Sequence, residues 1–177
     1  MRNVALSLAV ALLAVAPSAF AQQQRGATEV MAFVKPAGTS SETTFDGFGV
    51  AIRHYFHERV SGEVSVARET GRLGFITGEL IFVEEKVRAY PIDVTANYHY
   101  VNDTRWQAYT GLGVRHVSAP KESRHTWSDR TTPEFTAGIE FRATPHVLLR
   151  ADIKALLADD TLYDDSFKST FGVGWRF

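Results

Sequence analysis

The chain has 177 residues, almost equal numbers of acidic and basic side chains, a formal net charge of −1 and no cysteine. This balance provides no strongly basic surface of the kind that a phosphate backbone attracts, so we expect no nucleic-acid partner. The lack of cysteine excludes a disulfide framework, thiol catalysis and cysteine metal sites.

The first residues have the pattern of an export signal. Arg2 precedes an uncharged apolar run, and the sequence Ala19-Phe20-Ala21 has the pattern of a signal-peptidase cleavage site. The run is shorter than the roughly 20 apolar residues that a membrane-spanning helix needs. We therefore expect residues 1–21 to be a secretory signal peptide that is cleaved, and residues 22–177 to form one domain.

The expected domain alternates between apolar and polar residues along most of its length. Successive side chains of a β-strand leave opposite faces, so a period of two predicts strands. We count eight, each about 9–14 residues long, which is the length a tilted strand needs to cross a bilayer. The alternation is weaker over Thr28–Lys35. It is clear, in chain order, over residues 47–56, 60–66, 90–100, 106–115, 134–142, 147–155 and 171–177.

Short and long connections alternate between these strands. Three predicted connections are short, and the other four are longer. An up-and-down membrane barrel has this arrangement, with short turns at one end and longer loops at the other. We therefore predict an all-β fold, an eight-stranded antiparallel up-and-down transmembrane β-barrel. The short connections are residues 57–58, 101–103 and 144–145, and the long ones are residues 37–43, 70–84, 118–130 and 158–165.

The apolar face of each predicted strand is expected to contact lipid. Glycines such as Gly111 and Gly138 fall on the polar face, and small residues suit the crowded inside of a narrow barrel. Large aromatic residues fall on the apolar face near the short turns, as in an interfacial girdle. The alternative is a soluble secreted lipocalin-like carrier, in which the apolar face would point inward. The girdle residues are Phe56, Tyr98, Tyr100, Trp106, Phe141, Trp175 and Phe177.

Charges of both signs lie on the polar face. Inside a narrow barrel such charges must pair or be hydrated, and mixed signs allow pairing. Because side chains just fill a barrel of eight strands, we expect a plug rather than an ion-conducting line. The predicted interior polar network consists of Arg53, Glu63, Asp93, Arg115, Glu140, Arg150, Asp152, Lys154 and Arg176.

The sequence "FGVGWRF" carries large apolar residues at alternate positions, namely Phe171, Val173, Trp175 and Phe177. This pattern resembles the C-terminal signature of bacterial outer-membrane barrels. The resemblance implies recognition by the barrel-assembly machinery and a location in the outer membrane, in contact with its lipids.

The second half of the chain resembles the outer membrane protein W family. The segments that carry the resemblance are "YPIDVTANYHY", "YTGLGVR", "DIK" at residues 152–154 and "GVGWRF". The resemblance implies an eight-stranded barrel that binds or passes small hydrophobic molecules and has neither catalytic residues nor a cofactor. We therefore expect a protein that is not an enzyme.

Three local motifs leave alternatives open. His116 and Ser118 form a His-x-Ser pair at a strand end, which is reminiscent of outer-membrane lipid A deacylases, so a lipid A-modifying hydrolase is the enzymatic alternative. His54 and His57 have a possible metal spacing, but no third ligand is in sight and we expect no metal site. The apolar residues 74–82 either extend a hairpin above the membrane or form a hydrophobic lip.

Overall fold

The computed structural model describes residues 26–36, 43–76, 82–102, 105–118, 129–157 and 167–177. The predicted signal peptide lies outside the described residues, as do most of the predicted loops over 37–43, 118–130 and 158–165. The described strands are β1 (Thr28–Lys35), β2 (Thr43–His57), β3 (Val60–Ile76), β4 (Phe82–Ala89), β5 (Pro91–Asn102), β6 (Trp106–Val117), β7 (Arg130–Arg142), β8 (Val147–Leu156) and β9 (Phe167–Arg176).

The strands close into one antiparallel barrel. Strands that follow each other along the chain pair, except β4 and β5, and β1 also pairs with β9, so the sheet closes on itself. Strands β4 and β5 both pair with β3 in one continuous register, since Glu69 faces Ala89 and Val66 faces Ile92. Pro91 has no N–H for the ladder, which accounts for the break between them. Together β4 and β5 form one barrel strand, and the predicted eight-stranded barrel is confirmed.

One side of the wall rises beyond the rest of the barrel. The first residues of β2 pair with the last residues of β3, from Thr43 facing Leu73 to Gly47 facing Glu69. The same part of β3 pairs with β4. The predicted loop over residues 70–84 is therefore wrong, because most of it is paired strand. The described ends of the apolar segment 74–82 belong to this hairpin, and residues 77–81 lie outside the described residues.

The two faces of the wall differ sharply in exposure. On β5, Val94 is 47% exposed and its neighbour Asp93 is 2% exposed. The same alternation runs along the other strands, with apolar side chains outside and polar or small ones inside. This is the reverse of a soluble barrel, so the lipocalin-like alternative is wrong, and the outer face has the apolar character that lipid requires.

The barrel interior is densely filled. A Cβ atom on Gly138 would lie 2.6 Å from Cζ of Tyr109, so glycine is needed there for the tyrosine ring to cross. A small apolar cluster also lies inside, and the sequence did not predict it. It consists of Met31, Phe33, Ala51, Ala67 and Leu148. Within the described ranges, no helix is long and apolar enough to span a membrane.

Candidate functional site

The interior charges are the strongest candidate for a functional site. All of the charged residues predicted for the interior are buried on the inner face, with side chains directed into the lumen. The structure brings them together in two clusters, one near the end with the short turns and one near the end with the longer loops.

The turn-side cluster consists of Glu29, Arg53, Glu63, Glu140, Arg150, Asp152 and Arg176. Arg53 is its centre, with its guanidinium 2.8 Å from Glu63 and 3.1 Å from Glu140. Arg150 bonds Glu63 and lies 2.8 Å from Asp152. Arg176 bonds Glu29 next to it on the wall. Each acid in this cluster therefore has at least one basic partner.

Two of these ion pairs cross the full width of the lumen. Arg53 on β2 and Glu140 on β7 stand four barrel strands apart in either direction around the wall, as do Glu63 on β3 and Arg150 on β8. Residues on opposite walls of an eight-stranded barrel meet only when long side chains reach the axis. The two pairs thus span the lumen at this height.

Aromatic residues support the turn-side cluster. The guanidinium carbon of Arg53 lies 4.3 Å from the centroid of the Tyr109 ring, in a cation–π arrangement. The hydroxyl of Tyr109 donates to Asp152, and that of Tyr55 donates to Glu29 over 3.3 Å. The ring of His99 lies between these tyrosines, with centroid separations of 5.0 and 5.2 Å. Packed rings leave the charged groups little freedom to move apart.

The loop-side cluster consists of Lys35, Glu69, Asp93, Arg115, Glu134, Lys154 and Lys168. Glu69 accepts hydrogen bonds from Arg115 at 2.6 Å and from Lys35 at 2.8 Å. Lys154 lies 2.8 Å from Asp93 and 3.3 Å from Glu134. Among the described residues, no ion pair joins this cluster to the turn-side cluster. The charged residues of the lumen therefore form two separate networks at two heights.

Several members of the clusters were missed from the sequence. Glu29 and Lys35 lie at positions of β1 whose side chains face inward. Met31 and Phe33 occupy the inward-facing positions between them and weaken the polar pattern. Glu69 follows the last clear alternation of β3 and sits next to the segment that was predicted to be a loop. The alternation of β1 with Val30, Ala32 and Val34 was the signal that could have found Glu29.

The other sequence motifs have ordinary surroundings. Nδ1 of His116 lies 2.9 Å from the Thr131 hydroxyl on the outer face, and Ser118 is exposed just after the strand. Nδ1 of His54 lies 3.0 Å from the Thr28 hydroxyl. No group of three metal-ligating side chains forms within the part of the chain that the structure describes.

The predicted assembly residues lie on the outer face of β9. The side chains of Phe171, Val173, Trp175 and Phe177 are all exposed. The Phe177 N–H donates to the Thr28 carbonyl over 2.9 Å, and the Trp175 ring stacks on His146 with centroids 5.3 Å apart. These residues therefore present a row of exposed apolar groups on the outer face of the barrel.

Residues 5–177 match the family model described as "Outer membrane protein beta-barrel domain". No curated protein matches the chain significantly. The fold resembles the N-terminal β-barrel domain of Pseudomonas aeruginosa OprF, at 17% identity and a TM-score of 0.61, over 86% of this chain and 98% of that one. It also resembles OprG of the same organism, at 13% identity and a TM-score of 0.62, over 88% and 98%. Yersinia pestis Ail in a phospholipid bilayer nanodisc matches at 20% identity and a TM-score of 0.57, over 86% and 100%.

Proposed function

The chain belongs to the outer membrane protein beta-barrel domain family, and from this premise we propose that it is a non-enzymatic barrel of the bacterial outer membrane with a lumen closed to free ion flow. The observation that carries the proposal is the pair of contacts across the lumen, Arg53 with Glu140 and Arg150 with Glu63. Buried, mutually bonded charges of this kind separate only at a large cost, because each would be left unpaired.

We also propose that small hydrophobic molecules bind to the barrel or pass along its outer wall. Support comes from the resemblance of the second half of the chain to the outer membrane protein W family. An apolar molecule gains nothing from a charged lumen, because it would have to separate paired ions. The apolar outer face and the raised hairpin of β3 and β4 offer a route that avoids both clusters.

Ion conductance in planar lipid bilayers tests the closed lumen. We expect the mature barrel to give no steady single-channel current. A variant in which one ion pair of each cluster is replaced by small residues, Glu63→Ser/Arg150→Ser with Glu69→Ser/Arg115→Ser, should conduct ions. The matched control is Glu58→Ser/Arg59→Ser, which also removes equal numbers of acids and bases but lies in the exposed turn between β2 and β3. A steady current from the unaltered barrel would overturn the proposal.

The route for hydrophobic molecules is tested with phenylnaphthylamine, an apolar dye that fluoresces when it leaves water. Vesicles with lipopolysaccharide in the outer leaflet should take up the dye faster when they contain the barrel. The rate should be the same for the Glu63→Ser/Arg150→Ser variant, because the proposed route avoids the lumen. Equal uptake with and without the barrel would contradict the proposal.

A further inference from the structure

The outer face of the raised hairpin changes from apolar to basic at one height. Towards the long loops, Val64 and Val66 of β3 are followed on the same face by Arg68. In the same direction along β5 and β4, Ile92 and Tyr90 are followed by Arg88. An apolar band that ends in this way marks the level at which the wall leaves the hydrocarbon. The arginines therefore lie at the headgroup level, on the side with the long loops.

Pairing of the strands brings these basic residues together. Arg88 faces Thr70, so Arg88 and Arg68 are diagonal neighbours, about 7–8 Å apart at their backbones. Asp46, an exposed acid of β2, faces Thr70 from the other side. We call Arg68 and Arg88 the basic patch. Its two positive charges outnumber this one acid.

Arg68 and Arg88 differ from the paired charges inside the barrel. Both are exposed, and within the described part of the chain neither makes an ion pair or a side-chain hydrogen bond. The inner charges in the two clusters are paired with an opposite charge. Beside Arg68 on the same face, Phe48 and Tyr90 are exposed and suit the membrane interface.

We propose that the basic patch binds the phosphate groups of phosphorylated lipids in the outer leaflet. The arginine fork matches a phosphate with two parallel hydrogen bonds, and a membrane surface rich in phosphate attracts basic residues at its edge. The headgroup level is where lipid phosphates lie, so the patch and its ligand meet without any movement of the barrel. The inference rests on the membrane orientation and is independent of whether the lumen is closed.

The test uses the full mature barrel in phosphatidylcholine vesicles that contain fluorescent lipid A, either bis-phosphorylated or enzymatically dephosphorylated. Energy transfer from a fluorophore on the barrel to the fluorescent lipid A measures how strongly lipid A is enriched around the barrel. Arg68→Gln/Arg88→Gln should lower the apparent affinity for phosphorylated lipid A by about 30-fold, at about 5-fold per arginine. The control, Arg59→Gln/Arg105→Gln, removes the same charge at the exposed turn end of the barrel.

Three further results decide the proposal. The unaltered barrel should not enrich dephosphorylated lipid A, and Arg68→Lys/Arg88→Lys should retain part of the affinity because the charge remains. Retained heat-dependent mobility in gel electrophoresis will show that each variant is folded. Equal enrichment of the two forms of lipid A, or equal losses in the Arg68/Arg88 variant and the turn-end control, would overturn the proposal.

Discussion

Arg150 and Glu63 bond each other across the lumen of the barrel. Nη1 of Arg150 lies 2.5 Å from Oε2 of Glu63, although β8 and β3 are four barrel strands apart in both directions around the wall. Glu63 also bonds Arg53, so one carboxylate holds two guanidiniums near the axis. The contact links opposite walls of the barrel. We therefore expect it to stabilise the fold as well as to obstruct the lumen.

Replacement of this shared carboxylate should destabilise the barrel. Glu63→Gln leaves Arg53 and Arg150 buried without their common anion, and we expect the free energy of unfolding to fall by about 3–5 kcal/mol. Urea titration of the barrel in phospholipid vesicles, followed by tryptophan fluorescence, measures this change. The exposed turn variant Glu58→Gln should change the same quantity by less than about 0.5 kcal/mol. If the two variants unfold at the same urea concentration, the cross-lumen contact is not stabilising.

We propose that the apolar row on β9 acts during assembly. Phe177 is 73% exposed and faces the membrane interface, so Phe177→Ala should lower the free energy of unfolding no more than the same change at Phe167, while it alone slows insertion by the barrel-assembly machinery. Phe167, at the other end of the same strand, is 71% exposed and provides the matched control. Insertion into vesicles that contain the assembly machinery is measured as the fraction of folded barrel over time. Equal insertion rates for Phe177→Ala and Phe167→Ala would reject the proposed role.

The hydrolase alternative makes a separate prediction. We expect no release of fatty acid from lipid A by the barrel in vesicles, and no difference between the unaltered protein and Ser118→Ala. The physical reason is that the His116 ring already bonds Thr131 on the neighbouring strand. Mass spectrometry of the recovered lipid A measures this directly. Release that disappears in Ser118→Ala would establish the enzyme and contradict our account.

Sequence reasoning predicted which face a residue lies on, but it did not predict which residues meet. Arg53 and Glu140 were both expected inside from the alternation of β2 and β7. Their contact depends on the stagger between strands, which sets the height of each residue along the axis. The alternation of a strand shows which face a residue lies on but not its height along the barrel axis. For the same reason the separation of the charges into two clusters could not have been predicted.

The raised hairpin was missed for a different physical reason. Alternation between apolar and polar residues arises where one face of a strand contacts lipid and the other lines the lumen. Above the hydrocarbon the outer face meets lipid headgroups and water, so Arg68 and Thr70 replace the valines below them and the pattern disappears. The strand continues because its backbone still pairs with β2 and β4. A loss of alternation was therefore wrongly interpreted as the end of the strand.

The central claim is that the apolar face contacts lipid, and quenching of a fluorophore tests it most directly. The chain has no cysteine, so single cysteines at Val94, Ile153 and Glu58 can each carry one label. Val94 and Ile153 lie on the outer face of β5 and β8, and Glu58 lies in the exposed turn. In vesicles, brominated lipids should quench the labels at Val94 and Ile153 strongly and the label at Glu58 weakly, and aqueous iodide should do the reverse. Quenching of all three labels by iodide, with no effect of brominated lipid, would contradict the account.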